Sequence, residues 1–377
     1  MGTSGVTITT QNRESPAFSP HEPTPHAVCT TLGIVIFAHN EERKLRDTLD
    51  SLSRQDLLLD AARHGVTVEI NVVANGCTDR TGAIAEEACV QIFAEYPQVR
   101  ARVTQLKEPG KSNAWNEYVH SIAPQEADYL CFMDADIAFV GESSLRLMLE
   151  TLQRAKAAHA CVDTILKDLF FSKRKTALQS LSLAVSELSR AGAPKLAGSL
   201  YVLRAAVARR IWLPKGLLVE DGFLKALLTT ERFTTVENSA RIVRADGAAH
   251  TFEAERRLLQ IFRHEKRLLT GTAQNILLFE FLRERIAREA SEDACELIRW
   301  FNTNDPEWLG TLTLQGFKLQ GWRMLPLDLL RLPFKQLKML PTRQHYSHVL
   351  ICILRSLFNG LSLAGTYLDL RRGKLQW

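Results

Sequence analysis

Short apolar runs alternate with amphipathic segments through the first half of the chain. The runs are rich in β-branched and aromatic residues, which favour buried strands, and the segments between them carry helix-start signals or leucines at helical spacing. The four runs lie within residues 34–38, 66–74, 99–106 and 128–136. Because strand and helix alternate in this way, we predict an α/β fold in which a doubly wound, mostly parallel sheet flanked by helices covers about residues 33–140.

The fourth run ends in two carboxylates, Asp134 and Asp136. In an extended segment, residues two apart point the same way, so both carboxylates can face one cation. Two oxygen ligands leave an octahedral Mg²⁺ or Mn²⁺ open to the oxygens of a diphosphate. The Asp-x-Asp pattern is common by chance, and an exposed turn with two solvated aspartates is the alternative.

Polar residues also follow the earlier runs. Asn40 and Glu41 come after the first run, Asn75 and Asp79 after the second, and Lys111 precedes the helix that leads to the fourth. Ligands of open α/β sheets bind beyond the carboxyl ends of the strands, and a lysine at a helix N-terminus can meet a phosphate. The alternatives are helix caps for Asn40 and Asp79 and an exposed position for Lys111.

The second half of the chain mixes helices and strands. The predicted elements are a helix at 144–157, a strand near 159–165, a helix near 174–190, a strand at 198–203 and a hairpin within 232–246. Glu220 and Asp221 follow an apolar run and open a helix that continues to about residue 229. Two adjacent acids are costly to bury unless they are paired or functional, although the first turn of a helix also favours carboxylates.

A basic amphipathic helix is predicted to begin at Glu253. Its predicted inner face carries Leu258, Leu259, Phe262 and Leu269. Gln260 and Arg263 lie one turn apart on one face. A solvated charged face explains most helices of this kind, so this pair is the only part that suggests a site.

Composition restricts the class of protein. A chain of 377 residues with 46% hydrophobic residues and a net charge of +5 can hold one large or two modest domains, and its charge suits an anionic ligand or membrane surface without indicating nucleic acid. The seven cysteines form no Cys-x-x-Cys pair, which favours a reducing, cytoplasmic location over disulfides or a zinc site. Residues 1–30 are rich in Ser, Thr and Pro, so we predict a disordered leader without a signal peptide.

The C-terminal residues 271–377 are predicted to form a helical extension. Within it, residues 324–377 interleave leucines with arginines and lysines, and the longest uncharged run, 356–368, is too short to span a bilayer alone. This pattern favours a segment lying in the interface of an anionic membrane, on its cytoplasmic face, over a helix packed on the core or a spanning helix.

Taken in order, these motifs resemble glycosyltransferase family 2, the inverting nucleotide-sugar transferases with the GT-A fold. The likeness covers about residues 33–270, while the sequence has no Gly-x-Gly-x-x-Gly after its first strand and no P-loop motif. The matching segments are 34–42, 75–81, 110–113, 134–136, 220–221 and 260–264. The resemblance implies a GT-A domain over residues 31–270, with a nucleotide-binding half at 31–140 and an acceptor half at 141–270.

The resemblance also assigns roles to the candidate residues. It implies transfer of one sugar from a nucleotide diphosphate sugar, a UDP-sugar by preference, to a hydroxyl of a glycan or lipid-linked acceptor. The nucleoside would be held by Asn40, Glu41, Asn75 and Asp79; the ribose and diphosphate by Lys111, Asp134, Gln260 and Arg263; a divalent Mg²⁺ or Mn²⁺ by Asp134 and Asp136; and the acceptor by Asp221 as general base with Glu220 beside it.

Two residues depart from the family pattern. Asn75 stands where many members have an aspartate, and His264 replaces a tryptophan, which argues against polymer synthesis and for single-sugar transfer. Two other functions remain open: a nucleotide-sugar-binding protein that has lost its chemistry, and a nucleotidyltransferase. The retained Asp136 and Asp221 argue against the first, and the lack of a Gly-rich basic loop after the first strand argues against the second.

Overall fold

The computed structural model describes residues 29–167, 194, 196–252, 258–289, 293–337 and 342–375. The predicted helix near 174–190 and residues 1–28 of the predicted leader lie outside these ranges. The strands are β1 Thr30–Ala38, β2 Val66–Asn75, β3 Val99–Leu106, β4 Tyr129–Asp134, β5 Ile137–Val140, β6 Ala160–Lys167, β7 Leu200–Arg204 and β8 Ile242–Phe252.

In the described part of the chain these strands form one sheet in the order β3-β2-β1-β4-β7-β6-β8-β5. Strands β3, β2, β1 and β4 are parallel, as are β6 and β8, whereas β7 runs antiparallel to both of its neighbours and β5 is antiparallel to β8. The predicted doubly wound, mostly parallel sheet is therefore confirmed, with antiparallel strands confined to the second half.

Helices flank the sheet and extend beyond it. In the described residues they are α1 Leu45–Ser53, α2 Asp56–Leu59, α3 Thr81–Phe93, α4 Lys111–Glu117, α5 Ser144–Arg154, α6 Ala205–Ala208, α7 Glu220–Thr229, α8 Leu258–Glu289, α9 Ala294–Asn304, α10 Trp308–Gln320, α11 Leu332–Leu337 and α12 Thr342–Arg371. The last four confirm the predicted helical C-terminal extension. No described helix is long and apolar enough to cross a membrane.

The sheet is buried on both faces, as the apolar strands require. Alternate residues of β1 enter two different cores, with Ile34 on one face and Val35 on the other. On the second face, the ring of Phe132 in β4 stacks between Trp115 and Tyr201, with centroid distances of 5.5 and 4.9 Å. This packing fixes the end of β4, from which the two predicted metal ligands project.

The predicted hairpin within 232–246 is wrong. Residues Glu231, Arg232 and Phe233 adopt positive φ, so the chain turns sharply after α7. Arg232 is held there by an ion pair with Asp293, at 2.6 Å between Nε and Oδ2. A single strand then starts at Ile242 and pairs with β6 on one side and β5 on the other. In a two-stranded hairpin it would have only one neighbouring strand.

Candidate active site

A cavity of about 380 Å³ opens at the carboxyl ends of β1, β2 and β4. The elements that surround it bring together residues far apart in sequence, which is the arrangement expected for a ligand site in an open α/β sheet. Its polar lining consists of His39, Glu41, Asn75, Lys111, Asp134, Asp136, Glu220 and Arg267. Six of the predicted site residues therefore line this cavity.

Lys111 is the centre of a network of partly buried charges. Its ammonium group lies 2.6 Å from Asp134 Oδ1 and 3.0 Å from Glu220 Oε1, and it donates a hydrogen bond to the carbonyl of Gly198 at 2.9 Å. A Cβ atom at position 198 would lie 2.6 Å from Glu220 Oε1, so only glycine permits this approach. The three protons of the ammonium thus have three protein acceptors, and they join residues 31–140 to residues 141–270.

This network sets the charge states of its members. Burial opposes the charge on Lys111, but Asp134 and Glu220 outweigh it and raise the pKa of Lys111 above its ordinary value. Burial also opposes the charge on Glu220, but Lys111 and the hydrogen bonds at the start of α7 lower the pKa of Glu220 below its ordinary value. Glu220 is therefore a charged structural partner and a weak proton acceptor.

Negative charge is concentrated around Glu41. Burial and the nearby carboxylates of Asp136 and Asp134 raise the pKa of Glu41 to about 7. A cation beside Asp134 and Asp136 would offset this repulsion, so the donor atoms fit a divalent metal. Within the described ranges, no three His, Cys, Asp or Glu residues are placed to hold a metal by themselves. A cation here would take its remaining ligands from a substrate or from water.

Asn40 and Asp79 do not line the cavity, and they fasten two loops to each other. Asn40 adopts a φ of 57°, and its Oδ1 accepts a hydrogen bond from the backbone N–H of Thr78 at 2.8 Å. Asp79 accepts the N–H of Thr81 at 3.0 Å at the start of α3 and the N–H of Glu42 at 3.3 Å. Helix α1 begins only at Leu45, so the alternative of Asn40 as its cap is wrong.

Asn75 offers an unsatisfied acceptor to the cavity. Its Oδ1 atom is buried and has no hydrogen-bond partner among the described residues. A buried acceptor without a partner costs free energy, and a ligand that donates a hydrogen bond would recover it.

Asp221 lies next to the cavity lining, and Glu220 lies on it. The Oδ1 atom of Asp221 accepts the backbone N–H of Gly222 at 2.7 Å, and no cation of the described residues pairs with this carboxylate. Burial, together with the charge of Glu220, raises the pKa of Asp221. The two adjacent acids are therefore differentiated by their surroundings, and Asp221 is the stronger proton acceptor.

The basic helix places different residues at the cavity from those expected. In α8, Gln260 and Arg263 are exposed and do not line the cavity, whereas Arg267 does. Leu259, predicted on the inner face, is exposed, because the face of α8 that packs is the one carrying Leu269. Arg267 is one turn beyond Arg263 on the same side, which is the spacing that could have identified it.

Helix α8 also braces the segment before α7, which the sequence did not indicate. The buried Gln274 accepts the backbone N–H of Leu218 at 3.2 Å, and Asn275 donates to the carbonyl of Val219 at 3.1 Å. These two bonds hold the residues that precede Glu220 and Asp221.

Comparison with known proteins agrees with this geometry. The family model described as glycosyl transferase family 2 matches residues 33–206. No curated protein matches the chain. Among solved structures, the mannosyltransferase PcManGT from Pyrobaculum calidifontis, in complex with GDP-Man and Mn²⁺, is 15% identical, covers 89% of this chain and 86% of its own, and superposes with a TM-score of 0.51. At this identity the likeness shows the GT-A fold.

Two further structures match less closely. S. aureus TarS 1–349 is 14% identical, with 92% of this chain and 93% of that chain covered and a TM-score of 0.41. Glucosyl-3-phosphoglycerate synthase from Mycobacterium tuberculosis, in complex with Mn²⁺ and UDP-glucose, is 16% identical, with 65% of this chain and 79% of that chain covered and a TM-score of 0.41.

Proposed function

We propose, from the match of residues 33–206 to the model of glycosyl transferase family 2, that this chain transfers one sugar from a nucleotide diphosphate sugar to an acceptor hydroxyl with inversion. The observation that carries the proposal is the cavity at the carboxyl ends of the parallel strands, where Lys111 holds Asp134 and Glu220 together. The related mannosyltransferase was solved with GDP-Man and Mn²⁺, which supports a nucleotide-sugar donor and a divalent cation here.

The nucleoside is proposed to lie against the ends of β1 and β2. The unsatisfied Oδ1 of Asn75 would accept the ring N–H of a pyrimidine such as uracil, and Glu41 lines the same wall. Asn40 and Asp79 would act by holding the two loops in place. The resemblance favours uridine, and guanine also offers a ring N–H, so both nucleotides enter the test.

The diphosphate is proposed to lie over the end of β4. Asp134 and Asp136 would hold Mg²⁺ or Mn²⁺, which offsets the charge that develops on the leaving diphosphate. A phosphate contact of Lys111 would replace one of its three protein acceptors. Gln260 and Arg263 can contact the diphosphate only if the start of α8 moves toward the cavity, whereas Arg267 needs no such movement.

Asp221 is proposed as the general base. It takes the proton of the acceptor hydroxyl as the oxygen attacks the anomeric carbon, while the bond from that carbon to the diphosphate breaks. Its raised pKa suits a proton acceptor, whereas Glu220 is engaged by Lys111. A single displacement of this kind inverts the anomeric configuration and needs no covalent sugar–enzyme intermediate.

The acceptor is proposed to be presented at a membrane surface. Five leucines of α12, spaced at intervals of three, four or seven residues along one face, are 46% to 66% exposed, and they are Leu350, Leu354, Leu357, Leu361 and Leu368. The exposed Arg371 and Arg372 follow at the same end, which suits anionic headgroups. Helix α12 packs on α8 beside Arg267, with Lys266 and Asp369 paired at 2.5 Å. A lipid-linked acceptor on this surface would therefore be close to the cavity.

A panel of UDP- and GDP-sugars tests the donor. With Mn²⁺ present, a bound donor should raise the unfolding temperature by an amount that depends on its concentration over its dissociation constant. Stabilisation without sugar transfer to any lipid or glycan acceptor would favour the binding protein that has lost its chemistry. Transfer of the nucleoside monophosphate, with release of the sugar 1-phosphate, would favour the nucleotidyltransferase.

Flotation with anionic liposomes tests the membrane surface. Leu354→Asp with Leu357→Asp should abolish binding, because two charges would enter the apolar face. The matched control is Leu319→Asp, which alters a leucine of α10 that is 88% exposed and lies outside this face. Equal binding by the double variant and the control would refute attachment through α12.

A further inference from the structure

Three polar side chains are hydrogen-bonded in series inside the sheet. Asp163 of β6 and His250 of β8 are paired at 2.7 Å between Oδ2 and Nδ1, and His250 Nε2 lies 3.0 Å from the hydroxyl of Ser199, just before β7. The side chains of His250 and Asp163 are 0% and 1% exposed. Neither the sequence motifs nor the proposed reaction uses this Asp163–His250–Ser199 series.

A catalytic triad is the first function to consider for such a series. Ser199 does not line the cavity, and its hydroxyl is bonded to an imidazole whose side chain is 0% exposed, so a substrate could not reach the atoms that a triad uses. Stability alone is also a weak explanation, because a buried acid–imidazole pair is costly to desolvate, and apolar side chains of the same volume often stabilise a fold equally well. The effect of the series on the site must therefore act through the backbone around Ser199.

That backbone contacts the charge network around Lys111 directly. The carbonyl of Ser199 accepts the N–H of Asp134 at 2.9 Å. The carbonyl of Gly198, one residue earlier, accepts a hydrogen bond from Lys111 at 2.9 Å. Two consecutive carbonyls thus hold two charged residues of the site, and the hydroxyl between them is anchored to the interior of the sheet.

We infer that Asp163, His250 and Ser199 are positioning residues for the glycosyl-transfer site. The rigid sheet fixes Asp163, which orients the imidazole through Nδ1 and leaves Nε2 to fix the Ser199 hydroxyl. Ser199 in turn fixes the two carbonyls that hold Lys111 and Asp134. The consequence for catalysis rests on the proposed function, whereas the restraint on the backbone does not.

Ser199→Ala removes the last bond of the series and leaves every cavity side chain in place. Ser199→Thr restores the hydroxyl, and Thr251→Val is a matched control that removes a hydroxyl from the residue after His250, where its one bond to the described residues is to the carbonyl of Ala138. Partners that orient a site from behind typically change affinity or activity by roughly 10- to 100-fold when removed. We expect about a tenfold loss of kcat/KM for Ser199→Ala, recovery in Ser199→Thr and no loss in Thr251→Val.

A double-mutant cycle separates positioning from general loosening. If the series acts through Lys111, then Ser199→Ala should change nucleotide affinity by less than about twofold in a Lys111→Met background, because coupled residues are not additive. An equal fold-change in both backgrounds would overturn the inference. Asp163→Asn breaks the series at its other end, and its effect should likewise be non-additive with Lys111→Met.

Hydrogen exchange provides a readout that needs no substrate. The amide of Asp134, which donates to Ser199, should exchange faster in Ser199→Ala than in Thr251→Val, while both proteins keep their cooperative unfolding. Unchanged protection at Asp134 would refute the series as a backbone restraint, even if the protein proved not to transfer sugar. Faster exchange in a protein that transfers no sugar would instead leave the restraint established and the proposed function refuted.

Discussion

Replacement of Asp221 by asparagine isolates proton abstraction from the rest of the reaction. The amide has nearly the shape of the carboxylate, and its Oδ1 can still accept the N–H of Gly222, which Asp221 accepts at 2.7 Å. Asp221 does not line the cavity, so donor affinity should change by less than about twofold. The substitution should therefore act on the chemical step.

The magnitude follows from the role of a general base. Such catalysis contributes about 10²- to 10⁴-fold, which corresponds to about 3 to 5 kcal/mol of transition-state stabilisation. Burial and the neighbouring charge of Glu220 raise the pKa of Asp221, and a stronger base lies toward the upper part of this range. We expect kcat to fall by at least about 10²-fold in Asp221→Asn.

The dependence of kcat on pH is an independent test of Asp221 as the base. Asp221 must be deprotonated to act, so kcat should fall as the pH drops through its pKa. Because that pKa is raised, the fall should begin at a higher pH than it would for an ordinary aspartate, and it should disappear in Asp221→Asn. The assay combines initial rates across pH with donor titration of the unreacted enzyme.

Glu220→Gln is the matched control beside it. It removes one of the two carboxylates paired with Lys111, so it should weaken donor binding as well as turnover. If Asp221→Asn keeps nearly the kcat of the parent protein, or loses donor affinity instead, Asp221 is not the base and the roles of the two acids have been assigned wrongly.

Three further changes test the rest of the site. Asp136→Ala should abolish Mn²⁺-dependent nucleotide binding and leave the fold intact, as measured by thermal shift with and without chelator. Full activity of this variant in the presence of chelator would refute the metal hypothesis. Arg267→Gln should weaken the binding of a nucleoside diphosphate by about tenfold and that of the nucleoside much less, while Arg263→Gln should change neither affinity. If calorimetry shows that Arg263→Gln weakens diphosphate binding and Arg267→Gln does not, Arg263 is the residue that contacts the diphosphate. Leu354→Asp with Leu357→Asp should lose flotation with anionic liposomes while keeping transfer to a soluble acceptor, and loss of both would point to misfolding.

The pattern of apolar runs predicted the first half of the fold well, for a physical reason. Strands buried on both faces must be apolar throughout, and their ends are marked by the first polar residue that reaches the ligand side of the sheet. Asp134 is the clearest case, since β4 ends at that residue. The start of α7 at Glu220 was predicted equally well, because a carboxylate in the first turn is both a helix signal and a site signal.

The contacts between segments could not be predicted in the same way. Nothing in the sequence around Lys111 indicates that Gly198 and Glu220 come within 3.0 Å of its ammonium, because those contacts depend on how three distant segments pack. The buried face of α8 was predicted wrongly at Leu259 for a related reason. Hydrophobic spacing gives the period of a helix, but the partner helices decide which of its apolar residues are buried, and here they bury Leu269 and leave Leu259 exposed.

The contacts of Lys111 also suggest why each half of the site carries two acids. On the β4 side Lys111 pairs with Asp134, and on the α7 side it pairs with Glu220. In the part of the chain that the structure describes, neither Asp136 nor Asp221 has an ion-pair partner. One lysine thus pairs with one acid of each pair and leaves the other without an ion pair, which fits the roles proposed for Asp136 at the cation and for Asp221 at the acceptor proton. Without Lys111, the carboxylates of Asp134 and Glu220 would lose the cation that favours their charged forms, and the pKa of each would rise.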